Sequence, residues 1–327
     1  MSTPTIPNIE DIKSARERIS GHAYYTPLLR SHILDEMLGA HVFLKAECLQ
    51  RTGSFKFRGA YNAISAHGKD AIERGVIACS SGNHAQGVAE AGRLLGVDVT
   101  IVMPEDAPAI KRARTERSGA KIVNYDRASE DREAITETLA KETGAVLVHP
   151  FENELVIAGQ GTAGLEIADQ LNAQGVVPDL ALTPAGGGGL LAGFYLSLHD
   201  AYPDAQIIPV EPVGFDDYHR SLQAGKILSN ETASGSICDA IISPMAGELS
   251  FSIINGNISG GLVVSDEEAL QAVAFAFNEL KCVVEPGGAV ALAALLSGKI
   301  DCVGKNVVVM LSGGNVDPEI LQQALAG

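Results

Sequence analysis

Gly75-Val76-Ile77-Ala78-Cys79-Ser80-Ser81-Gly82-Asn83-His84-Ala85-Gln86-Gly87 passes from an apolar run through a polar turn into a helical period that lasts to residue 95. The apolar run between a glycine and two serines reads as a strand buried on both faces, and residues 85–95 read as a helix packed on it. The alternation then repeats, with strands expected at 97–102, 121–124 and 145–148 and helices at 108–118 and 129–142. Strands separated by helices of this length require a parallel sheet with right-handed crossovers. Residues 75–149 are therefore expected to form a compact α/β lobe inserted into the chain, with a hinge at His149-Pro150.

Outward from this lobe the same logic continues. On its N-terminal side a helix is expected over 8–20, a short strand over 42–45 and a helix running to about residue 66. On its C-terminal side helices are expected over 155–171, 190–199, 265–282 and 287–296, with strands at 179–183, 206–210, 262–264 and 306–311. Ser265 and Glu268 form a capping box at the start of the third of these helices. Residues 225–260 carry no clear period. The expectation is an α/β fold in which 1–74 and 150–327 make a larger domain and 75–149 a smaller one.

The chain has 327 residues and 46% hydrophobic content, enough to bury a large core. A formal net charge of −16 argues against nucleic acid and anionic membrane surfaces as partners. Five scattered cysteines show neither zinc-ligand spacing nor a disulfide framework, and the N-terminus has no apolar run of the signal-peptide kind. A cytoplasmic, soluble protein is expected.

Four stretches carry chemistry. In Thr52-Gly53-Ser54-Phe55-Lys56-Phe57-Arg58-Gly59-Ala60 a lysine sits among aromatics with a cationic neighbour, surroundings that lower a lysine pKa and suit a Schiff base with an aldehyde cofactor. The plainer alternative is a helix start capped by Ser54. Ala185-Gly186-Gly187-Gly188-Gly189-Leu190 lies between a buried strand and a helix, where four glycines let several N–H groups close on a phosphate. No Gly-Lys-Ser/Thr follows, which excludes a nucleotide P-loop. Ser80-Ser81-Gly82-Asn83-His84 offers hydroxyls, an amide and helix-start N–H groups to a carboxylate, against ordinary capping by Ser81 or Asn83. Ser312-Gly313-Gly314-Asn315 follows the last central strand, where α/β ligands bind. A dinucleotide reading also exists, since Gly187, Gly189 and Ala192 match a loose GxGxxA spacing with Glu211 after the next strand, but it leaves Lys56 without a role.

In this combination and order the motifs resemble the fold-type II (tryptophan synthase β-like) pyridoxal-phosphate enzymes, and within them the serine/threonine dehydratase and serine racemase family. The likeness runs from Thr26-Pro27-Leu28 through Val156-Ile157-Ala158-Gly159-Gln160-Gly161-Thr162 to Val316-Asp317. It implies two α/β lobes with the cofactor between them, Lys56 as the Schiff-base lysine beside Phe55, and Gly186, Gly187, Gly188 and Gly189 on the phosphate. Asn83 would meet the ring hydroxyl and Ser312 the pyridine nitrogen. Ser80, Ser81, His84 and Arg132 would face the substrate, with Ser81 where racemases place a second base. Glu211, Asp217 and the carbonyl of Phe215 would hold Mg²⁺ or Ca²⁺. A homodimer is implied too.

Phe151 stands where racemases and hydroxyaspartate dehydratases of the family tend to have Asn, which leans towards the threonine-dehydratase branch, and Ala240 replaces a common glycine. The chain ends soon after the Ser312 loop, so a C-terminal regulatory domain is not expected. The resemblance implies β-elimination from a 3-hydroxy-L-amino acid such as threonine or serine, giving a 2-oxo acid and ammonia. Serine racemisation and 3-hydroxyaspartate dehydration are the alternatives on the same scaffold. An NAD-dependent oxidoreductase and a non-catalytic binding protein are the alternatives outside it.

Overall fold

The computed structural model describes residues 5–80, 82–107, 109–126, 129–232, 234–258 and 260–327, so Ser81 lies outside the described residues. Ten strands are formed among them: β1 (Leu28–Leu29), β2 (His41–Ala46), β3 (Val76–Cys79), β4 (Val99–Pro104), β5 (Lys121–Tyr125), β6 (Val146–Leu147), β7 (Leu180–Pro184), β8 (Gln206–Pro212), β9 (Leu262–Val264) and β10 (Asn306–Leu311). The apolar runs become two sheets. The smaller has the order β5-β4-β3-β6 and is parallel throughout. The larger has the order β1-β2-β10-β7-β8-β9 and is parallel apart from β1, a two-residue antiparallel edge. All strands of the smaller sheet fall between Val76 and Leu147, while those of the larger come from both sides of that segment.

Parallel strands covered by helices on both faces lose the alternation of a half-exposed strand. In β10 the residues Val307–Leu311 are all buried, as are all five residues of β7. The mixed α/β architecture with parallel sheets agrees with the fold class read from the sequence. No helix among the described residues is long and apolar enough to cross a membrane.

Two helices set the position of the lysine stretch. Lys56–His67 lies against the long helix Glu154–Asn172, and a Cβ placed on Gly159 would fall 2.5 Å from the Cα of Gly59. Only two glycines let the backbones approach so closely.

The helix expected over 265–282 is shorter than its periodicity promised. Its capping box is present and Asp266–Phe275 is α-helical, but Ala276–Leu280 widens into a π turn and Lys281 adopts a left-handed φ of 57°. This abrupt stop frees residues 282–285 to run against the last glycine loop, where the N–H of Glu285 donates to the carbonyl of Gly313 at 3.0 Å. Ser54 does not cap the helix that follows it. Phe55 occupies the cap position without a side-chain bond, and the buried Ser54 hydroxyl has no partner among the described residues.

Candidate active site

Three loops at the C-terminal ends of strands converge, the place where open α/β sheets bind ligands. Ser80, Gly82 and Asn83 follow β3, Gly186–Gly189 follow β7, and Ser312 follows β10. Phe55, Lys56, Asn83, Gly186, Gly187, Gly188, Gly189 and Ser312 line one cavity. It adjoins a larger one of about 260 Å³ that shares Lys56 and Asn83 and is also lined by Ser80, His84, Arg132 and Glu285. The structure thus brings together every described residue assigned to cofactor or substrate on sequence grounds.

Lys56 opens its helix and points its ammonium at the carbonyl oxygen of Pro150, 3.1 Å away, with the ring of Phe55 5.2 Å from it. Burial alone pulls its pKa down to about 8. The cationic neighbour invoked for Lys56 on sequence grounds contributes nothing, because Arg58 is occupied elsewhere. The fully buried Arg58 guanidinium meets Glu47 at 2.7 Å and Glu166 at 2.6 Å. Burial works against its charge, but Glu47 and then Glu166 hold its pKa above the usual range. Lys45 completes the cluster at 2.7 Å from Glu166.

The glycine loop is a cradle with no room for side chains. Gly188 has a φ of 91°, and a Cβ there would overlap the hydroxyl of Tyr218 at 1.7 Å. Among the described residues, the N–H groups of Gly186, Gly187 and Gly188 meet no hydrogen-bond acceptor. Unspent donors next to the N-terminus of the helix Gly189–Ala201 form an anion site of the size and polarity of a phosphate. With a lysine amine and a hydroxyl on the same wall, the donor set fits pyridoxal phosphate.

Asn83 does not cap its helix; Gly82 occupies that position without a side-chain bond. Its amide instead donates to Glu285 Oε1 at 2.6 Å and accepts from Asn315 Nδ2 at 2.7 Å. His84 donates its Nε2 proton to the carbonyl of Val148 at 2.8 Å, and Nδ1 has no partner among the described residues. Burial, and then the charge of Lys56, lower its pKa to about 3. At neutral pH His84 is an uncharged ring with a bare acceptor, a poor partner for a carboxylate. Arg132 starts the helix Arg132–Thr143 and, among the described residues, has one distant ion pair, 3.9 Å from Glu133. Its charge is available to a ligand. Across the mouth Lys111 pairs with Asp239, which joins the small sheet's side of the cavity to the large sheet's side.

Glu285 was not anticipated. It is 3% exposed, and burial followed by the charge of Asp239 pushes its carboxyl up to about 7. In sequence it reads as an ordinary residue before a helix-starting proline, and its partner Asn83 is 202 positions away.

Glu211, Phe215 and Asp217 lie apart from both cavities. Glu211 is buried and accepts from the backbone N–H groups of Tyr218 and His219 at 2.9 and 2.8 Å. Asp217 accepts from Asn230 at 2.6 Å through Oδ1, while its buried Oδ2 has no partner among the described residues. Burial and then Asp217 raise the pKa of Glu211 well above the carboxylate range, and burial raises Asp217 to about 6. No group of three His, Cys, Asp or Glu residues close enough to hold a metal occurs among the described residues.

Comparison with known proteins agrees with this geometry. The chain is 44% identical over 317 residues to an L-threo-3-hydroxyaspartate ammonia-lyase of Pseudomonas sp, covering 97% of this chain and 98% of that protein. Among solved structures it is similar to a threonine deaminase of T.th., with a TM-score of 0.90 and 44% identity over 95% of this chain and 99% of that one. It is likewise similar to maize serine racemase, with a TM-score of 0.91 and 35% identity over 98% of both chains. The model of the family described as pyridoxal-phosphate dependent enzyme matches residues 19–313, and this chain belongs to that family.

Proposed function

We propose that the protein is an ammonia-lyase that uses pyridoxal phosphate to eliminate water from a 3-hydroxy-L-amino acid, after which water adds back to the resulting imine and a 2-oxo acid and ammonia are released. One observation carries the reading. Lys56 is a half-buried amine with no carboxylate partner among the described residues and a pKa of about 8, placed where the glycine-walled cavity opens into the larger one. In this reading residues 75–149 form a small domain, and 1–74 with 150–327 a large one, with the cofactor between them.

When bound, the cofactor supplies the electron sink that makes the substrate's α-proton acidic. The chain does the rest. Gly186–Gly189 hold the phosphate, Asn83 offers an N–H to the ring oxygen, and Ser312 meets the ring nitrogen with a hydroxyl rather than a carboxylate. A hydroxyl does not enforce protonation there, which suits prompt departure of a β-leaving group over sustained negative charge. The Lys56 amine takes the α-proton at Nζ, and with a pKa of about 8 roughly a tenth of it is free base at pH 7. The cavity walls from Phe55 and Phe151 limit water around that amine.

Arg132 favours a second reading of the substrate. A poorly paired guanidinium on the wall of the larger cavity suits a side-chain carboxylate, as in 3-hydroxyaspartate. Incubation with L-threonine, L-serine and 3-hydroxyaspartate, with 2-oxo acid and ammonia measured and serine chirality assayed, tests all of these. Absence of 2-oxo acid from every substrate sinks the lyase reading. The proposal extends to a divalent cation at Glu211, Phe215 and Asp217, supported by the unpartnered Oδ2 of Asp217, and to a homodimer; calorimetry with Mg²⁺ or Ca²⁺ and sedimentation equilibrium test these.

A further inference from the structure

We propose that Glu285 and Asn315 are positioning residues that act on the cofactor through Asn83, by fixing which end of its amide faces the cavity. The inference rests on the reading of Lys56, Asn83 and the glycine loop as the cofactor site. An asparagine side chain is almost symmetrical in shape, so packing alone does not choose between presenting its N–H₂ or its oxygen to a ligand. Here a one-way chain of hydrogen bonds makes the choice.

The chain starts at Arg114, a group that only donates. Its Nη1 gives a bond to Oδ1 of Asn315 at 2.8 Å, which identifies that atom as the oxygen. The other end of Asn315 must then be Nδ2, and it gives both of its protons away. One goes to the carbonyl of Thr52 at 2.8 Å and one to Oδ1 of Asn83 at 2.7 Å. The oxygen of Asn83 is thereby used, and its Nδ2 is turned the other way, donating to Oε1 of Glu285 at 2.6 Å. An amide nitrogen has no lone pair to accept with, so Oε1 is the acceptor in this bond whatever the charge on Glu285, and the direction of the chain is fixed at both ends. The remaining proton of Asn83 Nδ2 has no partner among the described residues and belongs to a side chain that lines the same cavity as Lys56 and Ser312. The cavity is offered a donor at that point, not a lone pair.

Two features mark this chain as built. Thr52 holds a left-handed φ of 64°, uncommon for a residue that is not glycine, and in that conformation its carbonyl reaches Asn315. Gly313 leaves the space Glu285 occupies, since a Cβ there would lie 2.0 Å from Oε1. The links come from five separate segments, around Thr52, Asn83, Arg114, Glu285 and Asn315, so no local turn accounts for them.

The test uses the apoenzyme titrated with pyridoxal phosphate, following affinity and the visible band of the bound cofactor, with circular dichroism as the folding control. Asn315→Asp removes both donated protons and sets a carboxylate against the Asn83 oxygen. Glu285→Ala removes the final acceptor, whereas Glu285→Gln keeps an oxygen able to accept. Asn315→Asp and Glu285→Ala are expected to bind pyridoxal phosphate about tenfold more weakly, roughly one hydrogen bond, and to shift the band. Glu285→Gln is expected to stay within about twofold of the wild type with its band unshifted. Wild-type affinity and band in Glu285→Ala, or a Glu285→Gln variant as impaired as Glu285→Ala, overturns the proposal. If Asn315→Asp fails to fold, the two Glu285 variants decide it. A wild-type apoenzyme that takes up no pyridoxal phosphate overturns the site reading, and the positioning role with it.

Discussion

Lys56 and Arg58 are two residues apart in one helix, and burial treats them oppositely. Arg58 is surrounded by Glu47, Glu166 and the Thr26 hydroxyl, and its charge is held in place. Among the described residues Lys56 has only a carbonyl oxygen, and its charge is discouraged. A buried cation with full partners is part of the scaffold, whereas one left without them is kept reactive, at the cost of the stability a partner would bring. At the surface the exposed Arg132, which among the described residues has a distant Glu133, stands apart in the same way from the buried Lys45, which has Glu166.

Substitution should divide the two classes cleanly. Lys56→Ala is expected to lower the rate of 2-oxo acid formation by at least about a thousandfold while leaving the unfolding midpoint in urea nearly unchanged. A variant that keeps measurable turnover would break the distinction. Arg58→Met should do the reverse, costing about 3–5 kcal/mol in urea unfolding because the buried Glu47 loses its guanidinium and Glu166 is left to Lys45. Loss of activity in that variant without loss of stability would count against a scaffold role.

The pH dependence sharpens the comparison further. An amine whose folded pKa is lowered releases its proton earlier on the way up in pH, so the reactive free base accumulates sooner. Trapping of pyridoxal phosphate on the apoenzyme with borohydride should accelerate about tenfold per pH unit from below and level off above about 8. A plateau delayed beyond about pH 10, the range of an unperturbed lysine, would mean that Lys56 is not desolvated. The smallest effect is expected at Arg132, where Arg132→Gln should raise KM for 3-hydroxyaspartate about tenfold and leave threonine within about twofold. Equal changes for both substrates would remove Arg132 from the side-chain end of the pocket.

Much of this was legible in the chain itself because the signals were local. The apolar runs of β3, β7 and β10, the four consecutive glycines and the Ser265–Glu268 capping box each state their structure within a few residues. What escaped was non-local or had no period. The pairing of Arg58 with Glu166 spans 108 positions, so Arg58 read as a neighbour of Lys56 and not as part of another cluster. The π turn at Ala276–Leu280 preserves apolar spacing while ending the α-helix, so periodicity ran on past the true end. Glu285 gains its meaning only from Asn83, which the fold brings from the other sheet's side of the cavity.

The contact between Gly59 and Gly159 also has a consequence in time. The helix that carries Lys56 meets the helix Asn83–Leu95 early, but its backing is incomplete until the helix Glu154–Asn172 has been made, about 100 residues later. At roughly 5–20 residues per second, that leaves about 5–20 s during synthesis in which the face of Lys56–His67 that packs on Glu154–Asn172 stands without its partner. The same interval separates Arg58 from Glu166, so a new chain carries an arginine matched by Glu47 alone beside an apolar helix face until the second half of the molecule arrives. The order of synthesis leaves this helix face in need of protection from aggregation while the chain is still growing.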